Sequence, residues 1–170
     1  MTAIDAVLLL LRLWAGLVII AHGVNHGRTL EGTARWFAAK GFKSEKLNAR
    51  VSALSEIAIG VALIAGLLTS VAAAGLMATM FVAFWSIHRF VGFFNFHRPD
   101  EGYEYVATLA MIAVALAVAG PGRFSVDEAL GIAANLDEWA GLAIVGGGLL
   151  VAAGQLATFW RKPTGDGGTT

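Results

Sequence analysis

The chain has 170 residues, 57% of them hydrophobic and 14% charged, with a mean hydropathy of +0.70. A soluble domain carries about 25% charged residues, so this composition excludes an ordinary soluble domain, a disordered chain and a nucleic-acid binder. The 12 basic and 12 acidic residues cancel and leave no global field for a polyanionic partner. The lack of cysteine excludes iron–sulfur ligation, a disulfide framework and thiol redox chemistry on this polypeptide.

A bilayer-spanning helix needs roughly 20 apolar residues. Five stretches approach that length, at 4–24, 51–69, 71–88, 103–120 and 139–160, and predict an all-α membrane protein. The opening Met1–Asp5 has no basic segment and no cleavage site follows, so the first stretch is expected to stay as a transmembrane helix. Between 27 and 50 the chain is polar and basic around Thr33–Gly41, whose aromatic residues predict a short helix lying at the membrane surface. Thr69-Ser70 separates the second and third stretches and predicts a tight helical hairpin. After the fourth, Gly120-Pro-Gly122 is a turn, and Ser125 with Glu128 reads as a capping box opening a short helix outside the bilayer. Residues 163–170 form a Gly-rich tail expected to be flexible.

Recurrent small residues predict where helices approach closely: Ala58, Ala62 and Gly66, then Ala74 and Ala78, then Ala143 and Gly147. Basic residues fix the expected orientation. Arg28, Arg35, Lys40, Lys43, Lys46 and Arg50, then Arg89 and Arg98, then Arg161 and Lys162 fall on one side if all five stretches span, which places ten of the twelve there. The positive-inside rule then predicts an outer N-terminus and a cytoplasmic C-terminus. Trp139 and Trp160 read as the two aromatic belts of the last span.

Ionisable side chains inside spans are costly, by about 2.5–3.5 kcal/mol each on insertion scales, and mark the informative positions. Arg12, His22 and His26 share one helical face within about 80°. Glu56 lies on the second span, His88 ends the third and Tyr103-Glu104 opens the fourth. Under the expected topology His22, His26, Glu56, His88 and Glu104 all lie at one depth, near the cytoplasmic end. Arg12 stands apart, with Asp5 and Asp127 as candidate counter-charges. Three chemistries compete for the cluster. A quinone headgroup would take hydrogen bonds from a histidine and protons from Glu56 or Glu104, with Phe90, Phe93, Phe94 and Phe96 lining its way in. A metal ion would use His22, His26 and His88, the first two one helical turn apart, with the two glutamates as further ligands. A haem would sit between two histidines of spans 1 and 3. Against all three stands a structural reading, in which the polar residues pair and register the four helices.

Several local motifs in this order resemble the DoxX family of small bacterial membrane proteins, over residues 6–130. They are Leu11-Arg12-Leu13 with Gly16 and His22-Gly23, Ser55-Glu56 with Gly60 and Gly66–Thr69, Phe93-Phe94-Asn95 with Gly102–Tyr105, and Gly120–Asp127. The resemblance implies a four-helix membrane core, here residues 1–138, to which 139–162 adds a fifth helix. It also implies location in the bacterial inner membrane, contact with other protein subunits, and a place in redox or oxidant-defence assemblies, including thiosulfate:quinone oxidoreductase. Arg12, His22, Glu56 and Glu104 are its family-like polar positions. The function expected is a membrane subunit of such an assembly, quinone-interacting, with a non-enzymatic anchor for cytosolic redox enzymes as the alternative.

Overall fold

A computed structural model describes residues 2–96 and 101–163. Arg98 and the tail from residue 164 lie outside the described residues. Among the described residues seven α-helices follow in order: α1 (Ala3–Arg28), α2 (Leu30–Ala39), α3 (Glu45–Ala65), α4 (Thr69–Ser86), α5 (Glu104–Ala119), α6 (Val126–Ala129) and α7 (Glu138–Phe159). The described residues contain no β-strand, only an isolated bridge between Phe42 and Trp160.

Among the described residues four segments are long and apolar enough to cross a bilayer: α1, α3, α4 continued through Phe90, and α7. The helix of the expected fourth span, α5, has 16 residues and at 1.5 Å per residue reaches about 24 Å, short of the roughly 30 Å hydrocarbon core. Val106, Leu109, Ala113, Leu116 and Ala117 bury its inner face. Large apolar side chains cover the outside, among them Leu10, Trp14, Leu54, Met111 and Leu150, the inside-out pattern expected of helices solvated by lipid.

Local chemistry sets the helix ends. Thr2 and Asp5 form a reciprocal capping box on α1, the Asp5 carboxylate accepting from Thr2 N–H at 2.8 Å and Thr2 Oγ1 from Asp5 N–H at 3.2 Å. Ser125 Oγ accepts from Glu128 N–H at 3.1 Å and caps α6, which is the serine half of the expected capping box. The polar and aromatic stretch after α1 forms α2, burying Thr33, Ala34 and Phe37 on one face.

The α3–α4 turn is not Thr69-Ser70, which belong to the first turn of α4. It is Gly66–Leu68. Gly66 takes φ +65, and Leu67 N–H bonds to the Ala62 carbonyl, a left-handed helix end that glycine adopts without a Cβ penalty. Periodicity alone missed this because Leu67 and Leu68 continue the apolar run.

Close helix approaches also differ from the expected stripes. α1 and α3 cross where Gly16 and Gly60 face each other: a Cβ on Gly16 would lie 2.8 Å from the Gly60 carbonyl oxygen, and one on Gly60 2.6 Å from that of Gly16. α7 meets α4 at Gly148, where a Cβ would lie 2.7 Å from the Ala74 carbonyl oxygen. Ala74 is buried there as expected, whereas Ala58, Ala143 and Gly147 are exposed. Trp160 is buried as well, not at a belt. It docks under the α2–α3 connection, its Nε1–H donating to the Lys40 carbonyl at 2.9 Å. Lys43 N–H to the Phe159 carbonyl and Arg161 N–H to the Gly41 carbonyl complete this clip between α7 and the 40–44 loop. Trp139 is exposed.

At the far end, Arg12 and Asp127 are both buried. The guanidinium donates to the carbonyls of Leu63 at 3.2 Å and Ile64 at 3.3 Å, the unsatisfied end of α3, and to that of Phe124. The Asp127 carboxylate accepts from Leu68 N–H at 2.6 Å and Thr69 N–H at 2.8 Å, the unsatisfied start of α4. Neither expected counter-charge therefore forms an ion pair with Arg12: Asp127 caps α4, and Asp5 accepts from Thr2 and from Arg123 N–H.

Removing either member should be costly, because the other charge is left buried. Arg12→Met is expected to lower the unfolding free energy by about 3–5 kcal/mol. Asp127→Asn should lower it by about 1–3 kcal/mol. The double variant should lose clearly less than the sum. Denaturant titration in detergent micelles measures all three, and strict additivity would show that the two charges do not communicate.

Candidate functional site

Antiparallel packing brings the C-terminal end of α1, the first half of α3, the end of α4 and the start of α5 to one end of the bundle. Two cavities meet there. A polar chamber of about 460 Å³ lies between α1, α2, α4 and α5 and is lined by His22, Asn25, His26, His88, Glu101 and Tyr105 among others. An apolar chamber of about 280 Å³ lies between α3, α4 and α7. His26, Trp36, Glu56, Thr79, Ala83 and Ile87 border both and form the shared wall.

Glu56 is the buried polar group of that wall, 3% exposed. Its Oε1 accepts from Ser52 Oγ at 2.5 Å and lies 3.3 Å from His26 Nδ1. His26 Nδ1 is also 3.1 Å from Ser52 Oγ. The serine hydroxyl has one proton and gives it to the carboxylate, so His26 Nδ1 is the donor toward Ser52. The three side chains thus form a short hydrogen-bonded chain from α1 to α3. Glu56 Oε2 is buried and has no partner among the described residues. A buried carboxylate oxygen left unbonded is costly, on the order of 1–3 kcal/mol, and marks the place where a ligand atom gains most.

Around this chain, His22 stacks on Tyr105 with ring centroids 5.6 Å apart and planes at 24°. The Tyr105 hydroxyl is buried without a partner among the described residues. His88 Nδ1 is 2.6 Å from the Glu101 carbonyl oxygen, which can only accept, so that nitrogen carries a proton.

Of the six residues singled out from the sequence, four come together: His22, His26, Glu56 and His88 line one chamber. The other two do not. Glu104 lines neither chamber; its Oε1 accepts from Asn95 N–H at 3.2 Å and ties the 93–95 loop to α5. Arg12 lies at the opposite end. The phenylalanines line neither chamber: Phe93, Phe94 and Phe96 pack on one another, and Phe93 on Tyr103, at the surface of the α4–α5 loop. Ser52, Trp36, Glu101 and Tyr105 belong to the site and were missed. Ser52 sits one helical turn before Glu56, a spacing that a search limited to ionisable residues passes over. Among the described residues no group of three or more histidine, aspartate or glutamate side chains is placed to hold a metal ion.

The DoxX family model matches residues 7–89, which run from α1 through α4 and the short turn after it. No curated protein and no solved structure matches the chain.

The wall carries a test of whether Glu56 serves stability. A carboxylate kept for structure would be expensive to neutralise. With Oε2 unbonded, Glu56→Gln is expected to cost less than about 1 kcal/mol, or to stabilise, since it removes a buried charge. Thermal unfolding in detergent reads this directly; a loss comparable to that of Arg12→Met would make the His26–Ser52–Glu56 chain a structural element.

Proposed function

We propose that this chain, whose residues 7–89 match the DoxX family model and whose apolar helices make it a multi-pass membrane protein in contact with the lipid bilayer, is the membrane subunit of a redox assembly whose chambers take a quinone-type headgroup at Glu56. The observation that carries this reading is the unbonded, buried Oε2 of Glu56 in the wall between an apolar and a polar cavity.

A quinone bound there would supply two-electron, two-proton chemistry, the electrons arriving from a donor on a partner subunit. The chain's own residues account for the rest. Glu56 Oε2 is free to hold a proton toward a carbonyl oxygen of the headgroup. Ser52 fixes the carboxylate rotamer through Oε1. His26, facing the polar chamber on its other side, can return a proton to Glu56 through the serine. The apolar chamber keeps water from the headgroup's other face and strengthens each of these hydrogen bonds. In this reading α5 completes a five-span arrangement despite its length. The His–Glu end faces the cytoplasm of a bacterial cell, in keeping with the basic residues at that end, and the N-terminus lies outside.

Gently solubilised protein is expected to release quinone on solvent extraction. Glu56→Gln should retain much less of it and lower the coupled activity of the reconstituted assembly by about 100-fold. Protein that carries no quinone, together with an unchanged Glu56→Gln assembly, would overturn the reading.

One further observation favours an anchor that recruits cytosolic redox enzymes. Arg35, Lys43, Lys46, Arg50 and Arg161 are exposed around α2 and the 40–44 loop, and the clip to Trp160 holds that basic surface rigid. Charge reversal at Arg35, Lys40 and Lys43 would then release partner proteins while Glu56→Gln stays silent. The quinone reading expects the reverse.

A further inference from the structure

The apolar chamber opens at the side of the bundle, between α3 and α7. α3 and α7 both pack on α4 but hardly on each other. They are joined at one end by the Gln155 Nε2 to Asn48 Oδ1 hydrogen bond at 3.2 Å. Among the residues lining the chamber, Val51 on α3 is 48% exposed and Val151 on α7 is 71% exposed. These two valines form the lips of a gap, and the surface beyond them is apolar, with Leu54 and Leu150 exposed on either side. Inside, small residues keep the space open: Gly75, Ala78 and Ala152 line it. At its inner end stand Ser52, Ser55 and the unbonded Oε2 of Glu56.

From this arrangement we infer that the chamber is a lateral binding site loaded from the membrane. Its occupant is a lipid-borne amphiphile with one hydrogen-bonding head and a linear apolar tail. The head lies at Glu56 and Ser52, and the tail passes out between Val51 and Val151. A water-soluble ligand would have no reason to meet an opening framed by lipid-facing valine and leucine side chains, whereas a tail leaving there exchanges one apolar solvent for another. The assignment gives α7 a role: it is the third wall of the chamber, and its clip to the 40–44 loop sets the width of the gap. The identity of the head rests on the quinone reading; the lateral opening does not.

Two photolabelling arms in lipid nanodiscs separate the two. A fatty acid carrying a diazirine on its chain should label residues lining the chamber, Ala78 and Val151 first, above its background on lipid-facing Leu10. Filling the lip with Val151→Trp, an exposed and fold-neutral position, should remove the Ala78 label and leave Leu10 unchanged. Should Ala78 go unlabelled in the unmodified protein, or keep its label in Val151→Trp, the lateral site is overturned. In the second arm, decyl-tailed quinone should displace the fatty-acid label from Ala78. Labelling that survives the quinone leaves the lateral site standing and removes the quinone as its occupant.

Discussion

The buried Arg12–Asp127 arrangement is the constraint on which the bundle depends. Helix ends expose backbone groups that lipid cannot satisfy, and a hairpin within a membrane protein must bond them from inside. Here one cation binds carbonyls at the C-terminal end of α3 and one anion takes the open amides of α4. Each charge faces the helix terminus whose dipole it complements. Because Arg12 comes from α1 and Asp127 from the segment after α5, two short-range caps fasten four parts of the chain at a single point. The Arg12–Phe124 contact and the Asp127 N–H to Gly66 carbonyl bond close the same point from the other side.

The two ends differ in what lies beside their unbonded groups. At the Arg12 end both Asp127 carboxylate oxygens are bonded, while Arg12 Nε, Thr69 Oγ1 and Ser70 Oγ are buried without a partner among the described residues. At the His26 end Glu56 Oε2 and the Tyr105 hydroxyl are buried and unbonded among the described residues, and open space lies beside the carboxylate. Local violations of polar satisfaction are tolerated where function needs them and the surrounding structure over-determines the site. Close crossing of α1 and α3 at Gly16 and Gly60 supplies that rigidity, since it sets the distance across which His26 meets Ser52 and Glu56. The polar chain is thus positioned by close backbone contact within about one to three turns, at Gly16 and Gly60 and again at Gly23, where a Cβ would lie 2.9 Å from the Ala53 carbonyl oxygen.

Much of the fold was legible because lipid writes a simple rule into sequence. The predicted spans match α1, α4, α5 and α7 to within a few residues at most ends, though α5 is shorter than a full span. The approach of His22, His26, Glu56 and His88 followed from antiparallel order alone. What could not be read has physical reasons. Leu67 and Leu68 sit in a turn, yet hydropathy records only that they are apolar. Glu104 has the depth of the site but not its direction, and direction depends on a loop carbonyl-and-amide pattern that sequence does not display. Small residues outnumber the close contacts, so a stripe through Ala143 and Gly147 looked as good as the true one through Gly148. Trp160 illustrates the same limit: an aromatic beside two basic residues looks like a belt until a loop covers it.

The extent of the family match bears on what such a bundle can bind. Residues 7–89 include Arg12, the Gly16–Gly60 crossing and the His26–Ser52–Glu56 chain, so the matched region carries the polar chain and the Arg12 half of the fixed end, while Asp127 and Phe124 lie beyond it. It stops before α5 and α7. Yet Tyr105 and Glu101 border the polar chamber, and Val151, Ala152 and Gln155 wall the apolar one. The chemistry of the shared wall therefore belongs to the matched helices, while the shape and openness of both chambers belong to the helices beyond them. A change in α7 that widened or closed the gap beside Val51 would alter what reaches Glu56 without touching Glu56 itself.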